Sequence, residues 1–262
     1  MKARSEGDPS RSTGIRLAHA AGIATITLSR PERHNALGAE DVTALLQHLD
    51  AVEQDESIRV VVLTGAGDRT FCAGASLDEM ESGAMDEHRF ETATDRLASL
   101  DRPTICALNG NAYGGGAELA LCCDFRVGMS GMKVAVPAAR LGVCYPPGGL
   151  TRYAHRLGYG AAARLFLAAE EMDAEELYRL GFLTHLVATE ELQATVDGLS
   201  ERIAALAPLA VRGMKEILRG ALDGAIPREA ANALVERAAQ SNDLREGLAA
   251  RREGREPDFR GR

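Results

Sequence analysis

The run "RVVVLTG", residues 59–65, constrains this chain more than any other stretch. Val60, Val61, Val62 and Leu63 follow one another with no polar residue between them. A strand sends successive side chains to opposite faces, so a strand of this composition has no face to offer water. It must lie in a sheet covered on both sides, and crossover helices supply that cover. Such units are legible nearby. "IRLAHAAGIATITLS" reads as two short strands around Ala21 and Gly22. In "AEDVTALLQHLDAVEQD", Val42, Leu45, Leu46, Leu49 and Val52 recur at helical spacing. A polar helix is expected around residues 86–100, and short strands at "TICAL" (104–108), "FRVGM" and "KVAVP". From about residue 150 the pattern reads as nearly all helical. Strands alternating with helices predict an α/β core of parallel units. The expected organisation is a disordered leader over 1–14, a core domain over 15–200 and a helical region over 201–262.

Composition removes several classes of function. The chain has 38 acidic and 30 basic residues, a net charge of -8, which disfavours nucleic acid or an anionic membrane as partner. Five cysteines, with no CxxC and no Cys/His ligand spacing, fit reduced, buried thiols in a cytoplasmic protein. His34, His48 and His155 have no ligand spacing either, so no metal is expected. The first residues lack an apolar signal core, and no segment reaches the ~18 apolar residues needed to span a bilayer.

Two glycine-rich loops follow predicted strands, over residues 65–76 and 109–117. The second, "NGNAYGGGAELALCCDF" (109–125), places Glu118 between three glycines and an apolar run. Loops leaving the carboxyl ends of strands build the sites of α/β sheets. Two backbone N–H groups aimed at one oxygen make an oxyanion hole, with Glu118 as the adjacent acid or base. The plainer reading is two ordinary connections, with Glu118 favoured by a helix dipole. Physical chemistry alone leaves both open. The glycine spacing does not match the GxGxxG that a dinucleotide-binding oxidoreductase requires.

At these loops the chain resembles the crotonase (enoyl-CoA hydratase/isomerase) superfamily. The resemblance is carried by "LSRPERHNAL" (28–37), "VVLTGAGDRTFCAGASLDEM" (61–80), "ICALNGNAYGGGAELALCCDFRV" (105–127), "EELYRLGFLTHLV" (175–187) and "APLAVRGMKEIL" (207–218), in order along nearly the whole chain. It implies an α/β spiral of ββα repeats with a C-terminal helical region that builds trimers, often paired into hexamers. It implies an enzyme acting on acyl-CoA thioesters, with coenzyme A as part of the substrate and no further cofactor. Carried over by motif, the oxyanion donors are the N–H groups of Ala75 and Gly115, and Glu118 is the catalytic acid or base. The coenzyme A loop maps to Cys72, Ala73, Gly74 and Ala75, with Arg30 and Lys215 as candidate phosphate contacts. Ser76 stands where the family often carries Asp.

One departure bears on the reaction. Hydratases of the family use two glutamates, the second following a proline. Here Pro137 is followed by Ala138, so Glu118 is expected to work alone and hydration of simple enoyl-CoAs to be slow. Isomerases of the family usually keep a carboxylate at that position too. Acyl-CoA decarboxylases resembling methylmalonyl-CoA decarboxylase carry "LGVPY" where this chain has "LGVCY", which makes Tyr145 a candidate for orienting a substrate carboxylate. That branch carries His where Ala75 stands. Hydration, isomerisation, decarboxylation and a coenzyme A-binding relative without hydratase activity all stay open at this point.

Overall fold

The computed structural model describes residues 14–85, 87–224 and 226–262. All of the expected leader except Gly14 lies outside the described residues. The chain opens with an antiparallel hairpin, β1 (Ile15–Ala20) and β2 (Ile23–Leu28), turned by Ala21 and Gly22 at positive φ. Helix α1 (Ala39–Gln54) crosses to β3 (Val60–Gly65), which pairs parallel to β2. Val42, Leu45, Leu49 and Val52 are buried on α1, and Leu46 is half-buried.

Three turns of one plan follow. The first is β3, β4 (Thr70–Cys72), α2 (Leu77–Glu81) and α3 (Glu87–Ser99). The second is β5 (Thr104–Leu108), β6 (Asn111–Tyr113) and α4 (Gly115–Cys122). The third is β7 (Phe125–Met129), β8 (Lys133–Ala135), a 3-10 turn (Ala138–Leu141) and α5 (Pro147–Phe166). The chain ends with β9 (Glu171–Asp173), α6 (Ala174–Arg179), β10 (His185–Val187), α7 (Leu192–Ala204), α8 (Pro208–Asp223), α9 (Arg228–Ala239) and α10 (Asn242–Glu253). The first strand of each turn joins a six-stranded sheet, β1-β2-β3-β5-β7-β10, and the second joins a four-stranded sheet, β4-β6-β8-β9. This is the spiral of ββα repeats that the resemblance implies.

Strand β3 is buried on both faces, as its composition demands. Val61 and Leu63 join the main core, while Val60 and Val62 join a second core with Leu192, Val196, Leu199 and Ile203 of α7. A fully buried side chain of this size contributes about 1.5–3 kcal/mol. Helix α7 therefore covers the sheet and belongs to the core, although the expected boundary between residues 200 and 201 cuts through it. The region after residue 150 also departs from the all-helical expectation. Strand β10 pairs parallel to β7, and β9 pairs antiparallel to β8. Each has three residues, too few to register a period of two in sequence.

Strands β4 and β6 are parallel neighbours, so the loops at their carboxyl ends lie side by side. The approach is close: a Cβ added to Gly74, whose φ is +88, would stand 2.8 Å from the Gly115 nitrogen. No helix among the described residues is long and apolar enough to cross a membrane.

Candidate active site

The glycines of "GGG" have separable tasks. Gly114 caps α4 with φ 49 and ψ -121, a conformation that only glycine adopts without strain. A Cβ on Gly116 would collide with the Cys72 carbonyl oxygen, and one on Gly115 with the Phe90 ring. The helix can therefore start directly against the loop after β4, and its first turn carries Glu118 inward.

Glu118 is buried, and both of its oxygens are engaged. The Tyr145 hydroxyl donates to Oε2 at 2.6 Å, and Arg152 Nη1 donates to Oε1 at 2.6 Å. Arg152 also donates through Nη2 to Asp95 Oδ1 at 2.6 Å, so an ion-pair chain links α4, α5 and α3. Tyr145 is held by an edge contact with Phe166, centroids 5.0 Å apart, and Phe166 meets Tyr153 in the same way at 4.9 Å. Burial first, and the Glu118 charge second, push the Tyr145 hydroxyl well above the ordinary tyrosine range. It therefore stays a donor. The Tyr153 hydroxyl, buried beside the same carboxylate, has no hydrogen-bond partner among the described residues.

A cavity of about 160 Å³ opens beside Glu118. Its apolar wall includes Leu77, Met80, Met85, Phe90, Leu141 and Val143, and no lysine, arginine or histidine lines it among the described residues. Ala75 and Gly115 both border it. The N–H of each lacks an acceptor among the described residues, as expected for the first residue of a helix at Gly115. Ala138 borders the cavity as well, so a glutamate there would have entered it. A second carboxylate nevertheless reaches this space from α3. Glu91 lines the cavity, with Oε1 accepting from the Gly148 N–H at 3.0 Å. Glu118 is thus not the only carboxylate at this cavity.

The structure gathers Ala75, Gly115, Glu118 and Tyr145 on one cavity, with Ala73 beside them. Cys72 is buried next to it, and its Sγ accepts from the Gly74 N–H. Neither of the two cationic candidates lines the cavity. Arg30 Nε pairs with Asp41 at 3.2 Å, and it does not line the cavity. Lys215 Nζ donates at 2.7 Å to both Asp124 Oδ2 and the Arg102 carbonyl, with its side chain only 9% exposed. That is a strut fastening α8 to the core. Ser76 is buried at the start of α2, and no group of three or more potential metal ligands occurs among the described residues. Sequence reasoning missed Arg152, Asp95 and Glu91. The i, i+4 spacing of Glu91 and Asp95 on α3 was visible, but such pairs more often mark a solvated helix face.

The comparisons with known proteins agree with this architecture. The family profile of enoyl-CoA hydratase/isomerase matches residues 18–262. A crotonyl-CoA hydratase of Syntrophomonas wolfei is 33% identical over 246 residues, covering 90% of this chain and 94% of that protein. A carnitinyl-CoA dehydratase of Proteus mirabilis is 32% identical over 261 residues, covering 96% of this chain and 100% of that protein. The crystal structure of an enoyl-CoA hydratase/carnithine racemase from Magnetospirillum magneticum superposes with a TM-score of 0.90 at 32% identity, covering 96% of this chain and 97% of that one. With its ββα spiral, its paired glycine loops and a family match across almost its whole length, this chain belongs to the enoyl-CoA hydratase/isomerase, or crotonase, family of enzymes.

Proposed function

We propose that the protein transforms an acyl-CoA thioester with an uncharged, apolar acyl group through an enolate-like anion, with Glu118 moving the proton at the α carbon. The observation that carries this reading is the meeting of the Ala75 and Gly115 N–H groups with Glu118 on one apolar cavity. An α proton of a thioester is too weakly acidic for a carboxylate unless the developing oxyanion is stabilised. One oxyanion donor is worth about 2.7–4 kcal/mol, and a positioned base adds about 10²–10⁴-fold. Proton transfer of this kind needs no group beyond the coenzyme A of the substrate, which the backbone of Cys72 to Ala75 would hold.

The decarboxylase alternative loses support. Its substrate would bring a carboxylate into a cavity that already borders Glu91 and Glu118 and has no cationic wall among the described residues. Tyr145, its candidate orienting group, donates to Glu118 instead. The names of the relatives, a hydratase and a dehydratase, favour addition or loss of water. Met214, Leu218 and Leu222 form an exposed apolar stripe along α8, which supports a homotrimer or a hexamer of paired trimers. The four buried free thiols fit a reducing cytoplasm.

The test is butyryl-CoA in D₂O followed by mass spectrometry. The wild type should bind it saturably and exchange its α hydrogens, and Glu118→Gln should slow exchange on the order of 10²-fold or more. In the variant the Gln oxygen still accepts from Arg152, whose charge stays paired with Asp95, while its amide group faces Tyr145, so the fold should persist. Absence of binding and exchange with every acyl-CoA tried would refute the proposal.

A further inference from the structure

We infer that Glu91 is the second proton-transfer carboxylate of this cavity and serves the β position of the substrate, taking over the task for which Ala138 has no carboxylate. The inference rests on the acyl-CoA reading above and narrows it to addition and elimination of water.

The two carboxylates approach one point of the fold from different helices. A Cβ on Gly149 would lie 3.0 Å from Glu118 Oε2, and a Cβ on Gly148 would lie 2.7 Å from Glu91 Oε1. Adjacent Cα atoms are about 3.8 Å apart, so the two groups flank a single residue step at the start of α5. Both also line the one cavity, so both lie within reach of one ligand. Side chains at Gly148 and Gly149 would displace the carboxylates.

Their hydrogen bonding differs in a way that suits two tasks. Glu118 has both oxygens engaged, by Tyr145 and Arg152, which fixes it as a rigid partner for one C–H bond. Glu91 is half-buried and anchored through Oε1 alone, while Oε2 has no protein partner among the described residues. An oriented carboxyl group with one open oxygen can hold a water molecule or a hydroxyl group. Its helix is also tied to the site. Phe90, the preceding residue, packs where a Gly115 side chain would be, and Asp95, one turn later, shares Arg152 with Glu118. Helix α3 is thereby registered against both the oxyanion loop and the first base.

The step balances if the pair carries one proton between them. In elimination, Glu118 takes the α proton and the C–H electron pair becomes the enolate held by Ala75 and Gly115. That pair then forms the Cα–Cβ double bond. The Cβ–O bond breaks with its electrons on oxygen, and Glu91 gives that oxygen its proton, releasing water. The proton gained by Glu118 and lost by Glu91 is restored through solvent at the cavity mouth. Addition is the same path reversed.

The experiment separates chemistry at the two carbons. Glu91→Gln keeps an oxygen for the Gly148 N–H, so the start of α5 is preserved while the proton is lost. The expected result is α-hydrogen exchange of butyryl-CoA within a few-fold of wild type, an unchanged Tm, and crotonyl-CoA hydration reduced on the order of 10²-fold. Glu91→Asp, which keeps a carboxyl group, should recover part of the hydration. Glu91→Gln hydrating at the wild-type rate would overturn the inference. So would exchange, hydration and Tm falling together, which is the signature of a structural role. A wild type that exchanges α hydrogens without hydrating crotonyl-CoA would overturn it while leaving the acyl-CoA reading intact. A wild type that does neither would remove both.

Discussion

Arg152 and Glu118, 34 positions apart in sequence, form an ion pair at 2.6 Å between side chains that are 13% and 4% exposed. Little solvent screens this pair. Removing one member of a buried pair leaves an uncompensated charge and typically costs 3–5 kcal/mol, far more than loss of a surface pair. Arg152→Met should therefore destabilise the fold by about 3 kcal/mol in urea denaturation, at the low end of that range because Asp95 is exposed. Adding Glu118→Gln to that variant should restore much of the loss, since the stranded charge is gone. An unchanged urea midpoint for Arg152→Met would show that the pair contributes nothing to the fold.

Tyr145→Phe should keep the edge contact with Phe166 and lose only the hydroxyl donated to Glu118. A hydrogen bond to a charged group is worth about 1.5–3 kcal/mol, so α-hydrogen exchange should slow by roughly 10-fold or more as the carboxylate loses its fixed orientation. The wild type should leave methylmalonyl-CoA intact when product formation is followed by mass spectrometry. Efficient decarboxylation, abolished in Tyr145→Phe, would reassign Tyr145 to the substrate carboxylate.

Light scattering at micromolar concentration should give a trimer or hexamer. On α8, Leu218 is 72% exposed in the isolated chain, between the exposed Met214 and Leu222. Leu218→Asp places a charge in the middle of this stripe and should shift the mass toward the monomer while far-UV circular dichroism stays unchanged. A monomeric wild type would contradict the assembly.

Of the five cysteines only Cys144 is exposed. One thiol should react with a disulfide reagent in the native protein, and all five after denaturation. Burial pushes the Cys72 thiol up to about 12 from an ordinary 9.0, and it raises Cys106 and Cys122 as well. Below about pH 9 these thiols are protonated in both folded and unfolded chains and stability does not depend on them. Above it the unfolded chain ionises first, so stability should fall as pH rises from about 9 to 12. Urea midpoints measured at pH 8 and pH 10.5 would expose this, and equal midpoints would argue against thiol burial as the cause of alkaline lability.

Some of this protein was fixed by local sequence. Four consecutive apolar residues in β3 require cover on both faces wherever the strand lies, and "TICAL" and "FRVGM" occupy β5 and β7 as expected. The glycine loops showed in sequence as places of close backbone approach, because such approach needs residues without side chains, while the pairing of those loops with Glu118 came only from the family resemblance. Strands β9 and β10 were not legible, because three residues form a strand only when a neighbour supplies the hydrogen bonds. The same holds for the electrostatics of the cavity. Helical periodicity places Glu91, Asp95 and Arg152 off the apolar stripe of their own helices and Lys215 beside Leu218 and Leu222, but it does not say what faces them. Packing of α3 and α5 against α4 decided that Arg152 pairs with both Glu118 and Asp95 and that Glu91 lines the same cavity, and packing of α8 on the core decided that Lys215 meets Asp124. Charge pairing depends on distance through space, and only the tertiary fold sets that distance.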